Sequence, residues 1–238
     1  MKTQKILVIL PLLSCACLMP ASAADFGALL KKAVSSAPVK LPDSRIAEGL
    51  KEALAVGVNK AVELTGKKDG YLANPAIKIP LPAKIQKIEP MLRKVGLGPK
   101  LDEWTLSMNR AAEAAAPQAK TLFLNALKQM TVEDARKIYS GGETAATEFF
   151  KAKTSAQLGE TYKPLVKEAM TKYGVTRVYQ DFSAKLPPGV GMKSASLENY
   201  VTAKALDGLF LTLGEQERAI RKDPAARVTA LLKEVFSK

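Results

Sequence analysis

Ile46, Leu50, Leu54, Val58 and Val62 recur every four positions with polar residues between them, the spacing of one buried face of an α-helix. Asp43 stands where a cap belongs and Gly66 where the helix should end. In the next stretch, KKDGYLANPAIKIPLP, that period is lost: Asp69-Gly70 signals a turn, and Ile77, Ile79 and Leu81 alternate with polar or proline residues. Pro75, Pro80 and Pro82 lack backbone donors, so residues 71–82 are expected as an extended connector or a short edge ribbon. Helical spacing returns from Ala83 to Val95, with Ile85, Ile88, Leu92 and Val95 on one side, Lys84, Lys87 and Lys94 on the other, and a bend at Pro90.

After the break at Gly96-Leu97-Gly98-Pro99, helix is expected over 101–130, interrupted at Pro117. Thr131 to Asp134 has the capping-box form, a hydroxyl followed three residues later by a carboxylate, and the helix it opens should stop at Gly141-Gly142. Further helices are read over 143–151, 155–173, 175–184 and 197–221, with a loop at Pro187–Gly191. Asp223-Pro224 should start the last helix, whose buried face is Val228, Leu231, Leu232, Val235 and Phe236. The pattern predicts an all-α protein, a single irregular multi-helix bundle, with breaks that could hinge two lobes at 96–100 or 186–192. Aromatic residues make up only 6% of the chain while alanine is abundant, so small side chains should let helices approach closely.

The N-terminus adds a compartment. Lysines in MKTQK, the apolar run ILVILPLLSCACLMP and the small residues Ala21-Ser22-Ala23 form a secretory signal over residues 1–23, leaving residues 24–238 as one helical domain in the periplasm or outside the cell. The competing reading is lipoprotein processing, with Cys15 as an acylated anchor. Cys15 and Cys17 both fall inside the signal, so the exported chain would carry no thiol and no disulfide. No later segment is apolar for the length of a bilayer span. Loss of Lys2 and Lys5 lowers the formal charge from +13 to +11, which suits anionic lipid headgroups, polysaccharide or another envelope protein, or serves solubility alone. No specific nucleic-acid motif is present.

Chemistry is bounded by what the chain lacks. It contains no histidine, so there is no imidazole base, ligand or nucleophile partner. No phosphate-loop, dinucleotide or serine-hydrolase motif occurs, and no cofactor or metal is expected. Gly141-Gly142-Glu143-Thr144 opens a helix whose free N–H groups could hold an anion, but Glu143 argues against it, and glycines that end one helix and let the next start at a sharp angle are the favoured explanation. Two polar clusters remain. Asn109, Arg110 and Glu113 share one helical face in the alanine-rich MNRAAEAAAPQAK, with Asp134, Thr147 and the Arg221 region as possible partners. In EQERAIRKDPAAR, Glu217 and Arg221 are spaced for an ion pair, Asp223 for a cap, and Arg227 sits as a cation in a first turn.

The stretches IAEGLKEAL, DGYLANPAIKIPLP, MNRAAEAAAPQAK, MTVEDARKIYSGGETAATEFF and GLFLTLGEQERAIRKDPAARVTALLKEVF resemble the bacterial domain-of-unknown-function family 4197, from about Phe26 to Phe236. The resemblance implies an export signal and transfers no catalytic role. It places Asn109, Arg110, Glu113, Asp134, Thr147, Arg221, Asp223 and Arg227 within the family's motifs, as ligand-binding candidates. The first expectation is a non-catalytic envelope protein that binds an anionic or amphiphilic partner through its basic surface and an alanine-lined groove. The alternative is a hydrolase or lyase using Glu113 or Asp134 as base, with Arg110 or Arg221 holding an oxyanion.

Overall fold

The computed structural model describes residues 41–186 and 193–236. The expected export signal, Cys15 and the expected Pro187–Gly191 loop lie outside the described residues. Within them the helices are α1 Asp43–Gly66, α2 Ala83–Lys94, α3 Gly98–Lys128, α4 Val132–Tyr139, α5 Ala145–Lys172, α6 Val175–Ser183, α7 Ser194–Lys222 and α8 Ala230–Val235. One 3-10 turn occupies Pro224–Ala226, and there is no strand among the described residues.

Four long helices close a ring: α1 packs on α3 and α7, and α5 packs on the same two. The shorter helices cover its sides, α4 and α8 on α1, α6 on α3, and α2 on α3. Ala111, Ala112, Ala115, Ala116 and Ala119 of α3 are all buried in the core. Small side chains there shorten the distance between axes; these alanines pack helices and line no groove, which corrects the expected alanine-lined cleft. Rings fill the wider gaps. Phe123, Phe150 and Phe210 join α3, α5 and α7 with centroids 5.1 to 6.3 Å apart, and Trp104 stacks on Tyr179 and Phe182 to hold α6.

Several local expectations are corrected. Residues 71–77 form turns and 78–82 run extended without pairing as a ribbon; the prolines remove donors, and the inward backbone groups of Ile79 are taken by a side chain described below. Pro117 does not interrupt α3; its ring packs against Gly66 of α1, where a Cβ would come within 3.1 Å of Pro117 Cγ. The helices read over 143–151 and 155–173 are one, α5. Thr154 does not break it but turns its hydroxyl back onto Phe150 O, 2.6 Å away. Asp223 caps only the 3-10 turn, through Ala225 N, and α8 starts later with Thr229 accepting from Leu232 N. Val228 is consequently 67% exposed, and Val95, beyond the end of α2, is 66% exposed. The capping box at Thr131 and Asp134 forms as read.

Gly208 of α7 lets the Tyr71 ring lie against the helix backbone: a Cβ there would stand 2.5 Å from Tyr71 Cε1 and 3.2 Å from Ile77 Cβ. Gly208→Ala is therefore expected to lower the melting temperature by about 3–6 °C, since overpacking of about 1–3 kcal/mol outweighs the gain in helix propensity. Gly159→Ala, with nothing within 4 Å of the added carbon, should raise it by about 2 °C. Calorimetry of the two variants checks both signs.

Candidate functional site

The α3 cluster is a latch for the connector between α1 and α2. Asn109 is fully buried. Its Oδ1 accepts from Ile79 N at 2.8 Å, while Nδ2 donates to Ile79 O at 2.9 Å and Thr105 O at 2.8 Å. A primary amide carries both a donor and an acceptor, so it pairs with the extended connector as a neighbouring strand would. One turn on, Glu113 Oε1 accepts from Tyr71 N and Leu72 N, both at 3.1 Å. Its Oε2 takes a 2.6 Å bond from Arg110 Nη1, and Arg110 Nη2 reaches Asp69 Oδ1 at 2.7 Å. The Glu113 bond holds Arg110 more firmly in its charged form, against the opposing effect of burial.

Local backbone explains the turn. Asp69 has a left-handed φ of 66°, which Asp tolerates better than most residues. At Gly70 a Cβ would lie 2.5 Å from the carbonyl oxygens of Leu64 and Thr65, so glycine is required there. Tyr71, fully buried, donates its hydroxyl to Ala205 O at 2.6 Å. Burial, with Tyr162 and Glu113 nearby, raises its phenol well above the usual range. Asp69 and Tyr71 were not among the expected site residues; the Asp-Gly turn and a lone aromatic in a polar connector were the available signals.

A second cluster ties α5 to α7. Glu217 is buried; it accepts from Ala146 N at 3.0 Å, Thr147 N at 2.8 Å and Thr147 Oγ1 at 2.7 Å. The opening turn of α5 does hold an anion, supplied by the chain itself. Arg221 Nε closes the cluster on Glu217 at 2.9 Å and donates from Nη2 to Ile138 O at 3.3 Å. Arg227 lies in no first turn. It donates to Ile220 O and Arg221 O at 3.0 and 2.9 Å, placing its cation on the carbonyl end of α7 where the helix dipole favours it.

Of the eight expected residues, Asn109, Arg110 and Glu113 come together with the connector, Thr147 joins Arg221 on Glu217, and Arg227 binds the carbonyl end of α7. Asp223 caps the 3-10 turn. Asp134 stays in its capping box, where Thr131 holds its carboxyl below the usual range. Neither Asp134 nor Thr147 partners the α3 cluster, so Glu113, Asp134 and Arg221 belong to three separate arrangements. Each is occupied by backbone or side-chain partners of its own.

The outer face of α2 has a different character. Of the residues of α2 only Ile85 and Leu92, on its inward side, are buried. Lys84, Lys87, Ile88, Met91, Lys94 and Val95 fall within about 120° of the helix circumference. Ile88 is half-buried, while Met91 is 51% exposed and Val95 more so. Among the described residues Lys84, Lys87 and Lys94 form no ion pair, whereas Arg93, nearly opposite on the helix, is held by Glu89 and Asp102 at 2.9 and 2.6 Å. Among the described residues no helix is long and apolar enough to cross a membrane, and no group of three or more acidic, histidine or cysteine side chains could hold a metal ion.

The family described as "Protein of unknown function (DUF4197)" matches residues 40–237, and the chain belongs to it. No curated protein and no solved structure matches.

Proposed function

We propose that this member of the family is an exported, non-catalytic envelope protein that docks on anionic lipid headgroups through the outer face of α2. One observation carries the reading: on a short helix at the edge of the bundle, three lysines without ion pairs among the described residues flank exposed Met91 and, just past the helix end, exposed Val95. Such a face lies in a membrane interface with its apolar side chains among the acyl ends and its ammonium groups at the phosphates. Each lysine near an anionic surface contributes about 1 kcal/mol. The excess of cations over the whole chain would speed the encounter.

Co-sedimentation with vesicles tests it. The purified protein is expected to bind phosphatidylglycerol vesicles at low salt, to bind phosphatidylcholine vesicles far more weakly, and to release from both in high salt. Replacing Lys84, Lys87 and Lys94 together by alanine should lower partitioning about 100-fold. Equal binding to neutral vesicles, or binding to anionic polysaccharide with none to anionic lipid, would remove the basis of the proposal.

A further inference from the structure

α5 and α7 run antiparallel, and three ion pairs cross between them: Lys222 to Glu143 at 2.6 Å, Lys151 to Asp207 at 3.0 Å, and Lys167 to Glu198 at 3.6 Å. Between these rungs the surface opens into two compartments of about 540 and 460 Å³, which share Lys151, Asp207 and Phe210. Both volumes fall in the usual range for ligand sites. The groove follows each helix for twenty residues, from Thr144 to Lys163 and from Asn199 to Arg218, or about 28 Å from first to last Cα.

Its lining is balanced in charge, unlike the face of α2. The first compartment holds Arg218 and Glu148, the second Lys163 and Glu160. None of the four makes an ion pair among the described residues. The second compartment also contains a spare hydroxyl. Thr202 is only 5% exposed and its Oγ1 has no hydrogen-bond partner among the described residues, whereas Thr65, Thr154, Thr161, Thr171 and Thr212 all bond back to the carbonyl four residues earlier. That oxygen is itself covered, so a ligand's amide or carbonyl reaches it only where the side chains of the groove floor part.

We infer that this groove is a peptide-binding site. It takes an extended segment of a partner protein, with apolar side chains on Phe210 and Leu206 and charges of both signs on Arg218, Glu148, Lys163 and Glu160. The central rung favours this occupant. A helix about 10 Å across could not settle past the Lys151–Asp207 pair, while an extended chain can cross above it and lower alternate side chains into each compartment. About eight residues span the groove at ~3.4 Å each.

The test is fluorescence anisotropy with a labelled octapeptide of alternating leucine and charged residues, lysine and glutamate in equal number. Saturable binding is expected, weakened roughly tenfold or more by Ala203→Trp, which fills the second compartment from an exposed position, and also by Arg218→Glu. Melting temperatures close to the parent's show that both variants fold. The triple lysine variant of α2 should bind the peptide unchanged and Ala203→Trp should bind vesicles unchanged, so this inference and the membrane reading fail separately. No saturable binding at millimolar peptide, binding indifferent to both groove substitutions, or a response only to monomeric lysophosphatidylcholine would overturn the assignment.

Discussion

Glu113→Ala is expected to destabilise the protein by about 3–5 kcal/mol, because it removes one member of a buried ion pair and strands the other. Two backbone donors, Tyr71 N and Leu72 N, lose their acceptor, and the Arg110 guanidinium loses its 2.6 Å partner while remaining largely covered. For a chain of this size that is a fall of about 10 °C in melting temperature. The loss should be local in origin: hydrogen exchange at the Tyr71 and Leu72 amides should accelerate before the core of α3 is affected. Glu113→Gln keeps an oxygen for the two amides and should cost less, with the deficit confined to the Arg110 side. A Glu113→Ala protein melting within about 2 °C of the parent would show that the connector is held by something other than this carboxylate.

Glu217→Ala should be comparably damaging, about 3–5 kcal/mol, for a related reason. Its carboxylate serves the first turn of α5 through two backbone N–H groups and the Thr147 hydroxyl, and it neutralises Arg221. The alanine variant leaves a helix N-terminus without its anion and a mostly covered cation without its partner. Urea denaturation should give a lower midpoint with an unchanged slope, the mark of lost stability rather than a changed unfolded state. Removing Arg221 as well should cost less than the two single changes added together, since the pair acts as one unit. Strict additivity would contradict the buried pairing.

Spacing alone showed that Asn109, Arg110 and Glu113 share a face, yet it pointed to the wrong partners. What they hold is a connector 30 to 42 residues earlier in the chain, and helical periodicity carries no information about such distant pairings. Glu217 and Arg221 were visible as an i,i+4 pair; that the pair is buried depends on α5 arriving beside it. The existence of the helices was legible because apolar residues recur with their period. Their ends were less so, because a proline such as Pro117 does not end a helix that packs on both sides of it, and the gap left at 152–154 closes with Thr154 bonding back to Phe150 O. Val95 and Val228 matched an apolar stripe but fall past a helix end or ahead of one, where periodicity no longer predicts burial. The lysines of α2 were correctly set apart from Ile85 and Leu92, while the groove between α5 and α7 left no pattern in either helix alone.

The three cross-links between α5 and α7 also bear on how the chain avoids a wrong topology. Read from its N-terminal side, the α5 strip presents Glu143, Lys151 and Lys167, and α7 presents Glu198, Asp207 and Lys222. The intervals are nearly equal, eight then sixteen residues on one and nine then fifteen on the other, so a same-direction alignment would be sterically plausible as a folding decoy. In that decoy glutamate would face glutamate at one end and lysine would face lysine at the other, leaving a single attractive contact. Each exposed pair is worth at most about 1 kcal/mol by itself, but exchanging two attractions for two repulsions biases the choice of direction by several times that amount while the helices are still finding each other.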